Sequence, residues 1–337
     1  MKNHFIFAVI VVGFAMVPAG AQAPVPGDGG LAIDVRAETI ESFDPREPQR
    51  TRFGDLEFRG GLILSSPSRN FGGLSSLRVS PDGARFLTAS DKGQWFRGRI
   101  VYRDGKPTGL TEVETAPMLG ADGRSLASRG WYDTESITED NGTVYVGIER
   151  VHQIVRFDFG KEGFRARGVP IALPPEVRKL PSNKSLECVA MPAKGQPLAG
   201  TLIAVSERGL DAQGNIKAFL INGRNFGLFS VKRSEDFDIS DCTTTPRGDL
   251  LLLERRFSWA TGVAMRIRRI ALTQIKPDAL VDGPALIYAD MGFQIDNMEG
   301  ISVHRSASGE LVITLVSDDN FSPLQRNLLL QFTLVGE

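Results

Sequence analysis

The chain has 337 residues, 42% of them hydrophobic and 23% charged, with a formal net charge of −1. That composition is globular, and 39 Lys+Arg against 40 Asp+Glu lacks the basic surplus expected of a nucleic-acid binder. Three histidines (His4, His152, His304) and two cysteines (Cys188, Cys242) nearly exclude a zinc site built from those residues, so any chemistry must run on carboxylates.

In chain order, the first segment reads as an export leader. Lys2 supplies a positive start, residues 5–17 form an apolar core, and Ala21-Gln22-Ala23 has the small-x-small pattern of a cleavage site. The apolar run is shorter than the ~20 residues a membrane span needs. A Sec-type signal peptide over 1–23, cleaved after Ala23, is therefore expected, and with it a periplasmic or extracellular protein without stable membrane insertion. Residues 24–52 are rich in turn formers and read as an N-terminal extension.

From residue 53 onward one pattern recurs. A small or acidic residue, a small residue and an apolar one precede a turn, and an apolar strand then ends in an acid. The copies begin at Ser75-Ser76-Leu77, Glu135-Ser136-Ile137, Glu187-Cys188-Val189, Asp241-Cys242-Thr243 and Glu299-Gly300-Ile301. The acids that end the following strands are Asp91, Glu149, Glu207, Glu254 and Asp318. Short apolar runs bounded by Gly, Pro, Asn and Asp predict strands throughout, about four per copy. A period of about 50–60 residues predicts an all-β fold, a β-propeller. Five blades are favoured, with six as the alternative. The last copy has room for only three strands, so the ring should close with a strand from the N-terminal side, over residues 53–64.

Phe71-Gly72-Gly73-Leu74-Ser75-Ser76-Leu77 with Asp91-Lys92-Gly93, Leu252-Leu253-Glu254-Arg255-Arg256-Phe257-Ser258, and Asp296-Asn297-Met298-Glu299-Gly300-Ile301 with Ser317-Asp318-Asp319-Asn320 resemble motifs of the phytase-like family (esterase-like activity of phytase). The resemblance spans about residues 53–335. It implies an exported propeller with ester or phosphoester hydrolase activity.

Equivalent positions of successive blades fall on a ring about the axis, so Asp91, Glu149, Glu207, Glu254 and Asp318 should gather at one mouth as candidate catalytic groups. Four are followed by a base (Lys92, Arg150, Arg208 and Arg255), which would suit the phosphate of a small-molecule ester. Asp318, Asp319 and Glu299 form an oxygen-rich set fitting a divalent cation, Ca²⁺ rather than Mg²⁺. Acid–base pairs at strand ends also knit blades together, and a non-catalytic ligand- or protein-binding propeller is the competing class. Cys188 and Cys242 share one position of consecutive repeats. In an exported protein they are a candidate disulfide.

Overall fold

A computed structural model describes residues 27–336. The expected signal peptide over 1–23 lies outside the described residues.

The strands form five sheets arranged as a ring, a five-bladed β-propeller. The innermost strands are Arg78–Val79, Thr134–Asp140, Leu186–Ala190, Asp238–Thr244 and Asn297–Arg305, one per blade, and each lies beside the next around the axis. From them the chain meanders outward through antiparallel strands, as in the third blade with Leu202–Leu210, Ile216–Asn222 and Asn225–Val231. These strands bury both faces, so they read as apolar runs more often than as strict alternation. Leu250, Leu251, Leu252 and Leu253 are all fully buried. The even-numbered pair packs toward the third blade and the odd-numbered pair toward the fifth. Five apolar clusters result, one at each blade interface.

The ring closes as the strand count requires. Leu56–Ser65 pairs antiparallel with Asn327–Leu334, from Leu64↔Asn327 to Leu56↔Leu334. A register shift at Gln331/Phe332 faces Gly60, whose φ of 147° is open to glycine and strained for other residues. The 24–52 stretch also contributes strands: Arg36–Ile40 adds to the outer side of Leu56–Ser65, and Leu31–Ala32 pairs with Lys106–Pro117 of the first blade.

Each inner strand bends at one extra residue. The register shifts at Thr134/Ser136, Leu186/Cys188, Ile239/Asp241 and Met298/Gly300, leaving Glu135, Glu187, Ser240 and Glu299 as the bulged residues. The first blade shows the same shift between Leu74↔Ser90 and Arg78↔Leu87, with Ser75 in the matching place. The fourth blade thus differs from the sequence expectation by one residue: Ser240, not Asp241, is equivalent to Glu135, Glu187 and Glu299. The two cysteines are accordingly one position apart in the repeat. They are nonetheless bonded, Cα to Cα 5.1 Å, because inner strands of adjacent blades converge toward the axis.

Two outcomes test this architecture. Removing residues 27–65 strips the closing strand and exposes the edge of Asn327–Leu334, so the truncated chain should lose its cooperative thermal transition; an unchanged melting temperature would rule out this closure. The disulfide closes a loop with a sequence separation of 54. On the chain-entropy model, replacing both cysteines by Ala should cost about 4 kcal/mol in denaturant unfolding. Alkylation of the unreduced, denatured wild type should add no mass.

Candidate active site at the propeller mouth

The bulges decide what reaches the mouth, since an extra residue re-aims the side chains around it. Where the bulged residue is serine it ties blades together: Ser75 Oγ donates to the Thr134 carbonyl, and Ser240 Oγ donates to the Met298 carbonyl at 2.9 Å. Where it is glutamate, a carboxylate is delivered to one end of the channel. Glu135, Glu187 and Glu299 act electrostatically on one another there. In the fifth blade the next position has room only for glycine. A Cβ on Gly300 would stand 2.6 Å from Val316 Cγ2 and 2.9 Å from the Ser76 carbonyl carbon.

The ring of strand-end residues joins them. Asp91 N–H donates to Gly73 O at 3.0 Å, Glu149 N–H to Asp133 O at 2.9 Å and Glu207 N–H to Ser185 O at 2.7 Å, which fixes the three as equivalents. Asn297↔Asp318 and Asp238↔Arg255 complete the ring. The one-residue shift of the fourth blade therefore puts Arg255, not Glu254, at the ring position. Successive strand residues face opposite ways. Glu254 turns into the blade and is fully buried; its Oε2 accepts from Arg266 Nε (2.6 Å) and Arg268 Nε (2.8 Å), and its Oε1 from Arg268 Nη2 (2.6 Å). That arrangement is a fold element rather than a free catalytic acid, which corrects the sequence expectation. Arg255 instead reaches the acids, with Nη1 2.7 Å from Asn297 Oδ1 and 3.2 Å from Glu299 Oε1, and Nη2 3.6 Å from Glu207 Oε1. Its Nε has no partner.

The other expected site residues divide between mouth and scaffold. Glu149 Oε1 accepts from Ser185 N–H at 2.6 Å, and Glu207 Oε1 lies 2.6 Å from Lys184 Nζ. Asp318 is buried, with Oδ1 accepting from Asn320 N–H at 2.6 Å. Asp319 is committed to the loop: Oδ1 accepts from Gly73 and Phe321 N–H groups and Oδ2 from Asn327 Nδ2. Arg208 pairs with Asp238, Arg150 lies over the Tyr132 ring, and Lys92 lies over the Phe321 ring. Of the four expected bases, Arg255 is the one in ion-pair contact with the acid cluster. Asp133 and Lys184 belong to the mouth and were not expected. Asp133 stands two residues before Glu135, in line with Gly73, Ser185, Asp238 and Asn297, a signal visible only once the bulge register is known.

Burial, with mutual repulsion added, pushes these carboxyls up: Asp91 to about 6, Glu149 and Glu299 to about 7, Asp318 to about 8, and Glu135 and Glu187 well above the usual glutamate range. Buried carboxylate oxygens without protein partners, Asp91 Oδ1 and Glu299 Oε2, are free to ligate a cation. So do two sets of three acids, Asp133–Glu135–Glu149 and Glu149–Glu187–Glu207, whose ligand oxygens lie within 4.8 Å of one another. These buried and half-buried acids can hold a metal ion.

Fold and mouth together define a five-bladed propeller with a carboxylate-lined polar site on its axis. The profile of the phytase-like family, described as esterase-like activity of phytase, matches residues 69–321, and the chain belongs to that family. A search of curated proteins returns no match. Similar solved structures include a Myxococcus xanthus glutaminyl cyclase (11% identity, 82% of this chain and 97% of that one, TM-score 0.42). Another is a putative oxidoreductase (glucose dehydrogenase) of Thermus thermophilus (15% identity, 88% and 100%, TM-score 0.34).

The raised carboxyls set a pH dependence. Between the unfolded values near 4 and the folded values of about 6 to 8, the folded state holds protons that the unfolded chain has released. Stability should therefore fall as pH rises from about 5 to 8 in chelator. Carboxyls held low by arginines or hydroxyls, such as Asp28 and Asp82, act only below about pH 4. Millimolar Ca²⁺ should raise the melting temperature more at pH 8 than at pH 5; an equal effect at both would count against cation binding by these acids.

Proposed function

We propose that this protein is an exported, cation-assisted hydrolase of phosphoesters. The observation that carries the reading is the meeting of Glu135, Glu149, Glu187, Glu207, Glu299 and Asp318 with one guanidinium, Arg255, at a single mouth. An all-oxygen donor set suits a hard cation, Ca²⁺ before Mg²⁺. Asp133, Glu135, Glu149, Glu187 and Glu207 would hold it, and it would supply Lewis-acid polarisation and a more acidic bound water.

The chain's own groups would do the rest. Arg255, with Nε free, would orient an anionic oxygen of the ester. Asp318, protonated at neutral pH, would give its proton to the departing alkoxide. Beyond Arg255 on the same strand face stands Phe257, 58% exposed, with Trp259 edge-on to it at 5.2 Å; these would take the organic part of the ester. Export is supported by the leader-like N-terminus and by the Cys188–Cys242 disulfide. Among the described residues, no helix is long and apolar enough to cross a membrane.

Hydrolysis of 4-nitrophenyl phosphate and bis(4-nitrophenyl) phosphate, with Ca²⁺ and after chelation, tests this. Turnover should require the cation, and Arg255→Gln should lower kcat/KM about 100-fold with the fold retained by far-UV circular dichroism, whereas Asp318→Asn should cost about 100-fold with an alkyl phosphate and far less with the 4-nitrophenyl esters, whose phenolate leaves without a proton. Glu254→Ala should instead destabilise by about 3–5 kcal/mol, since it strands two buried arginines. No turnover of either ester in the wild type would favour a binding propeller.

A further inference from the structure

We infer that the mouth binds two divalent cations at adjacent positions bridged by Glu149, an inference that rests on the cation-dependent reading above. The two acid triads share only Glu149. Calcium–oxygen distances of about 2.3–2.6 Å allow two ligands of one ion to stand up to about 5 Å apart. Each triad, with its oxygens within 4.8 Å, can therefore close on a single ion. The Asp133–Glu135–Glu149 triad lies wholly in the second blade, and the Glu149–Glu187–Glu207 triad spans the second and third. Glu149 Oε1 is anchored by Ser185 N–H at 2.6 Å, which places this carboxylate at the seam between blades.

A second observation points to a ligand. Glu299 is only 5% exposed; its Oε1 is held by Asn297 and Arg255, while its Oε2 has no partner and its charge acts on both Glu135 and Glu187. A buried carboxylate with an unpartnered oxygen, set among further carboxylates whose charge it feels, is costly unless cations lie between them. With Glu299 the two triads make six acids, and the bases at ion-pair distance from them are Lys184, at Glu207, and Arg255, at Glu207 and Glu299. Two divalent ions offset that excess better than one.

The two positions are unequal. Lys184 Nζ, 2.6 Å from Glu207 Oε1, and Arg255, 3.6 Å from the same oxygen, already occupy the second triad. In the first, no base stands at ion-pair distance among the described residues, and the nearby Arg150 lies over the Tyr132 ring at 4.5 Å. Binding is therefore sequential. The first ion enters at Asp133–Glu135–Glu149, and the second enters at Glu149–Glu187–Glu207 as Lys184 swings away.

Calcium titration calorimetry on the chelator-treated protein tests this directly. Two ions per chain should bind in separable steps. Asp133→Asn should weaken the tighter step alone, and Glu149→Gln should weaken both. Lys184→Ala should tighten the weaker step about tenfold, by removing its competitor. Far-UV circular dichroism without calcium checks the fold of each variant; should Glu149→Gln not fold, Asp133→Asn and Lys184→Ala still decide. A stoichiometry of one, or a Lys184→Ala titration identical to wild type, overturns the two-ion assignment and leaves a single-cation hydrolase standing. No calcium binding at all overturns both.

Discussion

One side chain on the axis, Arg78, satisfies the centre of the ring. Five inner strands converging on a channel turn carbonyls toward its axis, and buried carbonyls need donors. The Arg78 guanidinium donates to Leu77 O, Ile301 O (3.0 Å), Val189 O (3.1 Å) and Cys242 O (3.1 Å), one equivalent residue from each of four blades. Its charge is met by Asp241 Oδ2 at 3.6 Å, which also accepts from Ile301 N–H at 2.8 Å. Burial pushes Asp241 up to about 7 against the attraction of Arg78.

This plug bears on the mouth because the carbonyls it ties lie two residues beyond the bulges. Fixing Leu77, Val189, Cys242 and Ile301 around one guanidinium sets the spacing at which Glu187 and Glu299 are presented. The fourth blade supplies Asp241 to the plug and Arg255 to the mouth. Its one-residue shift is what permits both. A blade in the common register would have carried another acid where Arg255 stands, and the mouth would have lost the guanidinium that pairs with Glu207 and Glu299.

Gathering buried carboxylates works against folding, and the same molecule carries features that offset the cost. The N-terminal strand makes the last blade a full sheet, the disulfide pins the third and fourth blades at their inner edge, and Glu254 with Arg266 and Arg268 locks the fourth blade internally. The acids left unneutralised are the ones that a bound cation would stabilise, and such displaced carboxyls mark the mouth as the candidate site.

The repeat, its period and the strand count needed to complete the last blade determined the propeller and its closure by residues near Leu56–Ser65, and favoured five blades over six, because these rest on local patterns and on chain length. Hydrophobic runs and turn residues are visible one segment at a time. The sequence also marked Glu149, Glu207, Asp318 and Asp91 as strand-end acids, and Arg255 as a base beside one such position. The position of Glu254, the partners of Asp319 and Arg208, and the places of Asp133 and Lys184 at the mouth were decided only by tertiary structure. A bulge adds one residue without any signature in composition, and in a strand one residue reverses which way every later side chain points.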